Sequence, residues 1–437
     1  MNKKEIEIDY QRGLLDLLYA TKEVAEDDER LKMFAPLLEG EIQQAEKMIR
    51  CIKEEGPLVC GTYCTFPEIL KAMDIDWYNM VSAPLVGFTP FFDEGAMEIF
   101  YEVIDRTTMP SYVCSFHKIV SERTFLSPTP SAVLGMSRPC DGVALLFSSM
   151  RQYWKREGWR NVSHFEINTP YKKDDRGLKY TSDEIRQLIS FLEEHTGKKL
   201  NMAKLKEVVE RTNRHYELWG DCNDVSRSVP SPYAGFPGLF VWHAVTNSPM
   251  LIASAQAAEF VQQYIEGGIN KLKTESEELQ KEERIRMLWM DIPPFFAVEM
   301  VTLLMDEFGA KVVMDIHGFM RASSIVDTGT EQSMLEGLGI RHGFDSMMFR
   351  LSNGNIDRLL ADVELIVKAY NIDCVVGAGH VGHKDCNSSK GLLAEACRQL
   401  GVPILHFNFD SYDDRFTTLG EMKTVFSTFF DAYELGK

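Results

Sequence analysis

Short apolar runs that end in small or polar residues recur in two stretches of this chain, and most are followed by segments with helical spacing. In the first stretch "GPLVCGTYC" leads into "FPEILKAMDI" and "CDGVALLFSS" into "MRQYWKREG", with "VSHFEINTP" after them. In the second the runs are "RIRMLWMDIPP", "AKVVMDIHG", "DCVVGAGH" and "VPILHFNFD". Buried strands alternating with helices predict an α/β fold of doubly wound, Rossmann-like parallel sheets. Between the two stretches the period is helical, as in "SDEIRQLISFLEEHTG" and "NMAKLKEVVERTNRHYELW", and the Pro- and Gly-rich "SVPSPYAGFPG" breaks it. The pattern predicts N-terminal helices over 1–55, a first α/β lobe over 56–170, a helical linker region over 171–285 and a second α/β lobe over 286–437.

Composition narrows the function classes. A chain of 437 residues is too long for one ordinary core, in keeping with separate lobes. Its 65 acidic and 47 basic residues give a net charge of −18, which argues against a broad nucleic-acid footprint. No stretch reaches the about 18 apolar residues of a membrane span, and the charged start lacks a signal-peptide core. A cytoplasmic location, away from membranes, is the expectation. In a reducing compartment the nine cysteines are expected to be buried thiols or metal ligands rather than a disulfide framework.

Ligands of doubly wound sheets bind beyond the carboxyl ends of the strands. Polar residues crowd those predicted ends: Ser148 and Ser149 after "VALLF", His317 after "VVMDI", His380 to Asp385 after "CVVGAG", and Asp410, Asp413, Asp414 and Arg415 after "ILHFNF". One active cleft between the lobes would gather them. Gly377-x-Gly379 reads either as an anion-binding loop or as a tight turn that needs positive φ. His380 and His383 read as proton carriers or as loop-capping side chains. Cys60-x₃-Cys64, Cys114 and Cys386 read as thiolates for an iron–sulfur cluster or as ordinary core thiols. No Cys-x₂-Cys pair supports a zinc knuckle, and the neighbours of His117 look helical.

Several segments, in order, resemble one family. They are "LVCGTYCTFPEILKAMDI", "YVCSFHK", "CDGVALLFSSMRQYW", the central helices with "VPSPYAGF", "RIRMLWMDIPPFF", and "DCVVGAGHVGHKDC" with "LGVPILHFNFDSYDDR". Together they resemble a dehydratase-component subunit of the 2-hydroxyacyl-CoA dehydratase / benzoyl-CoA reductase family. The resemblance implies two homologous subunits, each able to hold a [4Fe–4S] cluster through three cysteines between its lobes. It implies an ATP-dependent iron–sulfur activator that donates one electron, and an acyl-CoA substrate that loses its 2-hydroxyl by way of a ketyl radical.

Carried over to this chain, Cys114 occupies the first cluster-cysteine segment. The second offers Leu146 or Phe147 where a cysteine is expected, with Cys140 before the run. In the third His383 stands nearest the cysteine position, and Cys386 follows three residues later. The implied metal ligands are thus Cys114, His383 and Cys386. The implied catalytic residues are His383, His380 and Thr65, and the substrate contacts are Cys64, Ser148, Ser149 and Lys384. The leading expectation is a subunit of a radical dehydratase lyase. Its alternatives are a cluster-free, non-catalytic partner in a heterodimer and a benzoyl-CoA reductase-type subunit. A two-lobed nucleotide-sugar transferase is the rival from another class, but diphosphate and ribose contacts with good spacing are not evident.

Overall fold

The computed structural model describes residues 3–27, 32–54, 56–61, 66–79, 101–102, 104–107, 109–126, 130–137, 142–146, 148, 162–233, 235–236, 238, 241, 249–294, 297, 299–346 and 356–435. Two parallel sheets of four strands dominate them. The first contains β1 (Leu58–Gly61), β2 (Asp76–Asn79), β3 (Ala132–Met136) and β4 (Ser163–Ile167), in the order β2-β1-β3-β4. The second contains β5 (Ile285–Met290), β6 (Ala310–Asp315), β7 (Cys374–His380) and β8 (Ile404–Phe409), in the order β6-β5-β7-β8. In both sheets the chain winds outward from its first strand and then returns to that strand's other side. The switch points therefore fall between β1 and β3 and between β5 and β7, where such folds open a crevice.

Burial explains why the second sheet is legible as apolar runs. Every residue of β5, β6 and β7 is buried, as expected of parallel strands covered on both faces. Trp289 packs edge-on against Phe236, Phe407 and Phe409, and the Leu419–Ala432 helix adds Phe426 to this cluster. In the central region the long helices Asp175–Thr196, Met202–Ser226 and Ala255–Thr274 begin at Asp174, Asn201 and Ser254, whose side chains accept backbone N–H groups of the first turn.

A buried ionic knot joins the first sheet's layer to these helices. Glu68, in the short helix Pro67–Ala72, accepts from Arg341 Nη1 at 2.8 Å and pairs with His342 Nε2 at 2.8 Å. Arg341 and His342 lie in the Glu331–Gly343 helix. Arg341 also donates to Thr212 Oγ1 at 2.7 Å, to the Ser324 carbonyl at 2.8 Å and to Asn213, and its guanidinium lies 4.3 Å from the Tyr216 ring centre. Burial alone would raise the Glu68 carboxyl. The adjacent His342 and Arg341 outweigh that and hold it well below the usual carboxylate range.

Three local expectations change. The run "VALLF" predicts a strand, but residues 142–146 are helical and the strand lies earlier, in "AVLGM". A short apolar run does not distinguish buried helix from buried strand by periodicity. Strand β2, "DWYN", is too short and polar at its ends to register as an apolar run. Gly377 and Gly379 do not form a loop: both lie inside β7 and pair with His406 and Asn408 of β8. A Cβ on Gly377 would run into the His406 ring, and one on Gly379 would stand 2.7 Å from Asn408 Oδ1. Close side-chain packing thus explains this glycine pair, and the anion-loop reading fails.

Candidate functional site

The second sheet's switch point carries the densest buried chemistry among the described residues. Strand β5 ends at Met290, and Asp291 follows with φ 81°, a left-handed conformation unusual for a residue with a side chain. Neighbouring β7 ends at His380, and the chain then turns through Val381 and Gly382 to His383, whose N–H donates to the His380 carbonyl at 3.0 Å. Gly382 has φ 88°, which suits glycine at this turn position.

That turn presses against the other lobe. A Cβ on Gly382 would lie only 2.6 Å from Cα of Cys114, the residue just before the Ser115–Leu126 helix. Further contacts extend the seam between lobes. Ser115 Oγ donates to Asp410, Arg415 bridges to Asp105 at 2.9 and 3.0 Å, and Tyr101 bonds Asp414. Tyr412 enters the apolar cluster that contains Cys60, Cys114, Val120 and Val133. Lys384 rests 4.2 Å from the Tyr112 ring centre.

Within the seam, one ligand-type atom from each of Cys114, His380 and His383 lies within 4.8 Å of the others, and all three residues are buried. Asp291, His383 and Cys386 form a second such group around the same histidine. His383 Nδ1 is 3.0 Å from Asp291 Oδ1, so that N–H donates to the carboxylate. The same carboxylate accepts from Ile292 N at 2.8 Å and His380 N at 3.3 Å. Burial works against ionised Asp291, but His383, with His380 and His317 beyond it, brings its carboxyl below the ordinary value. A histidine fixed in this way by a carboxylate has its Nε2 lone pair set for a metal or a proton.

His380 has different surroundings. Its Nδ1 lies 3.0 Å from the Ser411 N–H, its ring also hydrogen-bonds the Phe409 carbonyl, and its Nε2 is buried without a partner among the described residues. Burial, then neighbouring His383, holds its pKa well below the usual imidazole value, so the ring is neutral. His117, one turn into the first-lobe helix, places Nδ1 2.6 Å from Cys114 Sγ. Burial and then His383 lower its pKa to about 3. Asp410 is raised, chiefly by burial and despite the bond from Ser115.

The structure thus gathers His380, His383, Cys114 and Cys386 and leaves Lys384 exposed at the rim beside them. Ser148 is not at a strand end: it is helical and exposed, a consequence of the misassigned "VALLF". Cys64, Thr65, Ser149 and Cys140 lie outside the described residues. Cys222, Cys374 and Cys397 are core thiols whose pKa values burial pushes up, to about 12 for Cys222 and about 11 for Cys397. Asp291 is absent from the sequence-based candidates, although an acid closing the apolar strand "IRMLWM" ahead of "IPP" is a usable signal. His117 is undervalued because its helical setting hides its approach to Cys114.

Two four-stranded parallel lobes meeting over a buried Cys–His–His group, whose donor atoms could hold a metal ion, define a two-lobed α/β protein. A family model for the 2-hydroxyglutaryl-CoA dehydratase D-component matches residues 62–432, and the chain belongs to this family. It is 24% identical over 313 residues to the (R)-2-hydroxyisocaproyl-CoA dehydratase alpha subunit of Clostridioides difficile, covering 68% of this chain and 70% of that protein. It is also 24% identical over 260 residues to the (R)-phenyllactyl-CoA dehydratase alpha subunit of Clostridium sporogenes, covering 57% of this chain and 59% of that protein. No helix among the described residues is long and apolar enough to cross a membrane.

The fit to a three-thiolate cluster is poor among the described residues. Cys114 and Cys386 are the only cysteines in the two ligand groups, and Cys386 Sγ approaches His383 Nδ1 no closer than 3.9 Å. Three imidazoles, those of His117, His380 and His383, stand around Cys114 where a [4Fe–4S] site calls for further thiolates.

Proposed function

We propose that this chain is one subunit of a heterodimeric lyase that removes water from a 2-hydroxyacyl-CoA, and that its homologous partner subunit carries the electron chemistry. The observation that carries this reading is that the buried ligand-type group around Cys114 at the lobe seam is completed by His380 and His383 and not by further thiolates among the described residues. When bound, an iron–sulfur cluster supplies one-electron chemistry charged by an ATP-dependent iron–sulfur activator. Here that role falls to the partner.

This chain contributes a closed seam and proton-handling side chains. Asp291 orients His383, and neutral His380 and His117 hold the surroundings free of extra charge. Lys384, exposed and close to Tyr112, places a cation at the rim, where the phosphates of an acyl-CoA would approach. Cys64 and Ser149 complete the proposed substrate contacts, without the helical, exposed Ser148, and Thr65 joins His380 and His383 as a proposed catalytic residue.

The test is anaerobic co-production of this chain with a homologous dehydratase subunit, followed by assay with the activator, ATP and a panel of 2-hydroxyacyl-CoA thioesters. Dehydration should require both chains, with acid-labile sulfide recovered only with the partner. Dehydration by this chain and the activator alone would overturn the assignment.

A further inference from the structure

The family's iron–sulfur cluster spreads its ligands over several irons, whereas the donors here converge. Cys114, His380 and His383 each offer an atom within 4.8 Å of the others. Metal–sulfur bonds of about 2.3 Å and metal–nitrogen bonds of about 2.0–2.1 Å need donor separations of roughly 3.3–3.8 Å. The widest pair therefore has to close by no more than about 1–1.5 Å around a single ion. The geometry assigns this pocket to one divalent transition-metal ion, held by Cys114, His380 and His383 in place of a four-iron cluster.

Four features beyond proximity support the assignment. Among the described residues His380 Nε2 is buried with no hydrogen-bond partner, which an ion would relieve. Binding there requires the ring proton on Nδ1 and so costs the bond that Nδ1 now accepts from the Ser411 N–H. His383 donates Nδ1–H to the buried Asp291 carboxylate, the arrangement that orients metal-bound histidines. One thiolate with two imidazoles suits zinc or ferrous iron and disfavours magnesium or calcium. Three protein ligands leave a fourth position for water or a substrate oxygen.

The inference refines the reading of a cluster-free subunit, and the experiment separates the two. The full chain is purified anaerobically, its metals and acid-labile sulfide are measured, and the ion is exchanged for cobalt. About one zinc or iron per chain without sulfide is expected, together with the visible absorption of tetrahedral thiolate-bound cobalt. Cys114→Ser should abolish the sulfur-to-cobalt band, and His380→Ala and His383→Ala should each weaken cobalt binding at least tenfold. Ser148→Ala should leave binding unchanged. Circular dichroism checks that each variant is folded, and His383→Gln serves where the alanine variant is not. A folded chain that retains no metal and takes up no cobalt overturns the ion but leaves the dehydratase-subunit reading. Iron and sulfide at about four each overturn the ion and the cluster-free reading together.

Discussion

Glu68 and Asp291 are both carboxylates buried beside a histidine, yet their surroundings differ in what remains unsatisfied. Both Glu68 oxygens are paired, and Arg341 donates from Nε, Nη1 and Nη2. Around Asp291 the carboxylate is also well served, but the neighbouring His380 keeps a buried Nε2 with no partner among the described residues. The first cluster saturates itself and ties Pro67–Ala72 to two other helices. The second stops one ligand short, where two lobes meet. A buried polar network that closes on itself stabilises a fold, whereas one left open at a single atom has room for something else.

Substitutions can break this contrast. Glu68→Ala strands the Arg341 guanidinium in the core and should cost about 3–5 kcal/mol, measured by chemical denaturation. A loss under about 1 kcal/mol would mean that the knot is no more than a surface-type pair. The same carboxylate makes stability depend on pH. Its folded pKa is depressed, so its contribution is complete above the ordinary value of 4.5 and fades as pH falls through the folded value. Stability should therefore decline in acid, and Glu68→Gln should flatten that part of the profile.

Gly382→Ala comes next. It combines an unfavourable positive φ with a Cβ forced onto Cys114, and should cost about 1–3 kcal/mol along with metal retention. Unchanged cobalt binding in this variant would show that the turn need not touch Cys114. Asp291→Asn should act mainly on the ion, weakening its binding about 10–100-fold in a chelator competition while changing the melting point less than Glu68→Ala does. The smallest effect belongs to Ser148→Ala, an exposed site, where stability should stay within about 0.5 kcal/mol.

Much of the second lobe is legible in the sequence because β5, β6 and β7 are buried throughout and read as mainly apolar runs, broken only by buried Arg286 and Lys311 and by polar residues at their ends. The first lobe is harder. Its β1 and β2 have four residues each, and "VALLF" has the composition of a strand and the structure of a helix. His380 and His383 stand out as residues beside a strand end. Their approach to Cys114 does not, because it depends on a contact between residues more than 250 positions apart, made by Gly382. Asp291 escapes notice for a related reason. Its importance lies in orienting His383 across the β5/β7 switch point, which requires knowing that those two strands are neighbours.

The most direct test of the account is X-ray absorption at the metal edge of the full-length, anaerobically purified chain. It predicts a shell of one sulfur at about 2.3 Å and two histidine nitrogens at about 2.0–2.1 Å, with an oxygen at the fourth position and no second metal scattering nearby. A sulfur-dominated shell accompanied by metal–metal scattering would contradict it.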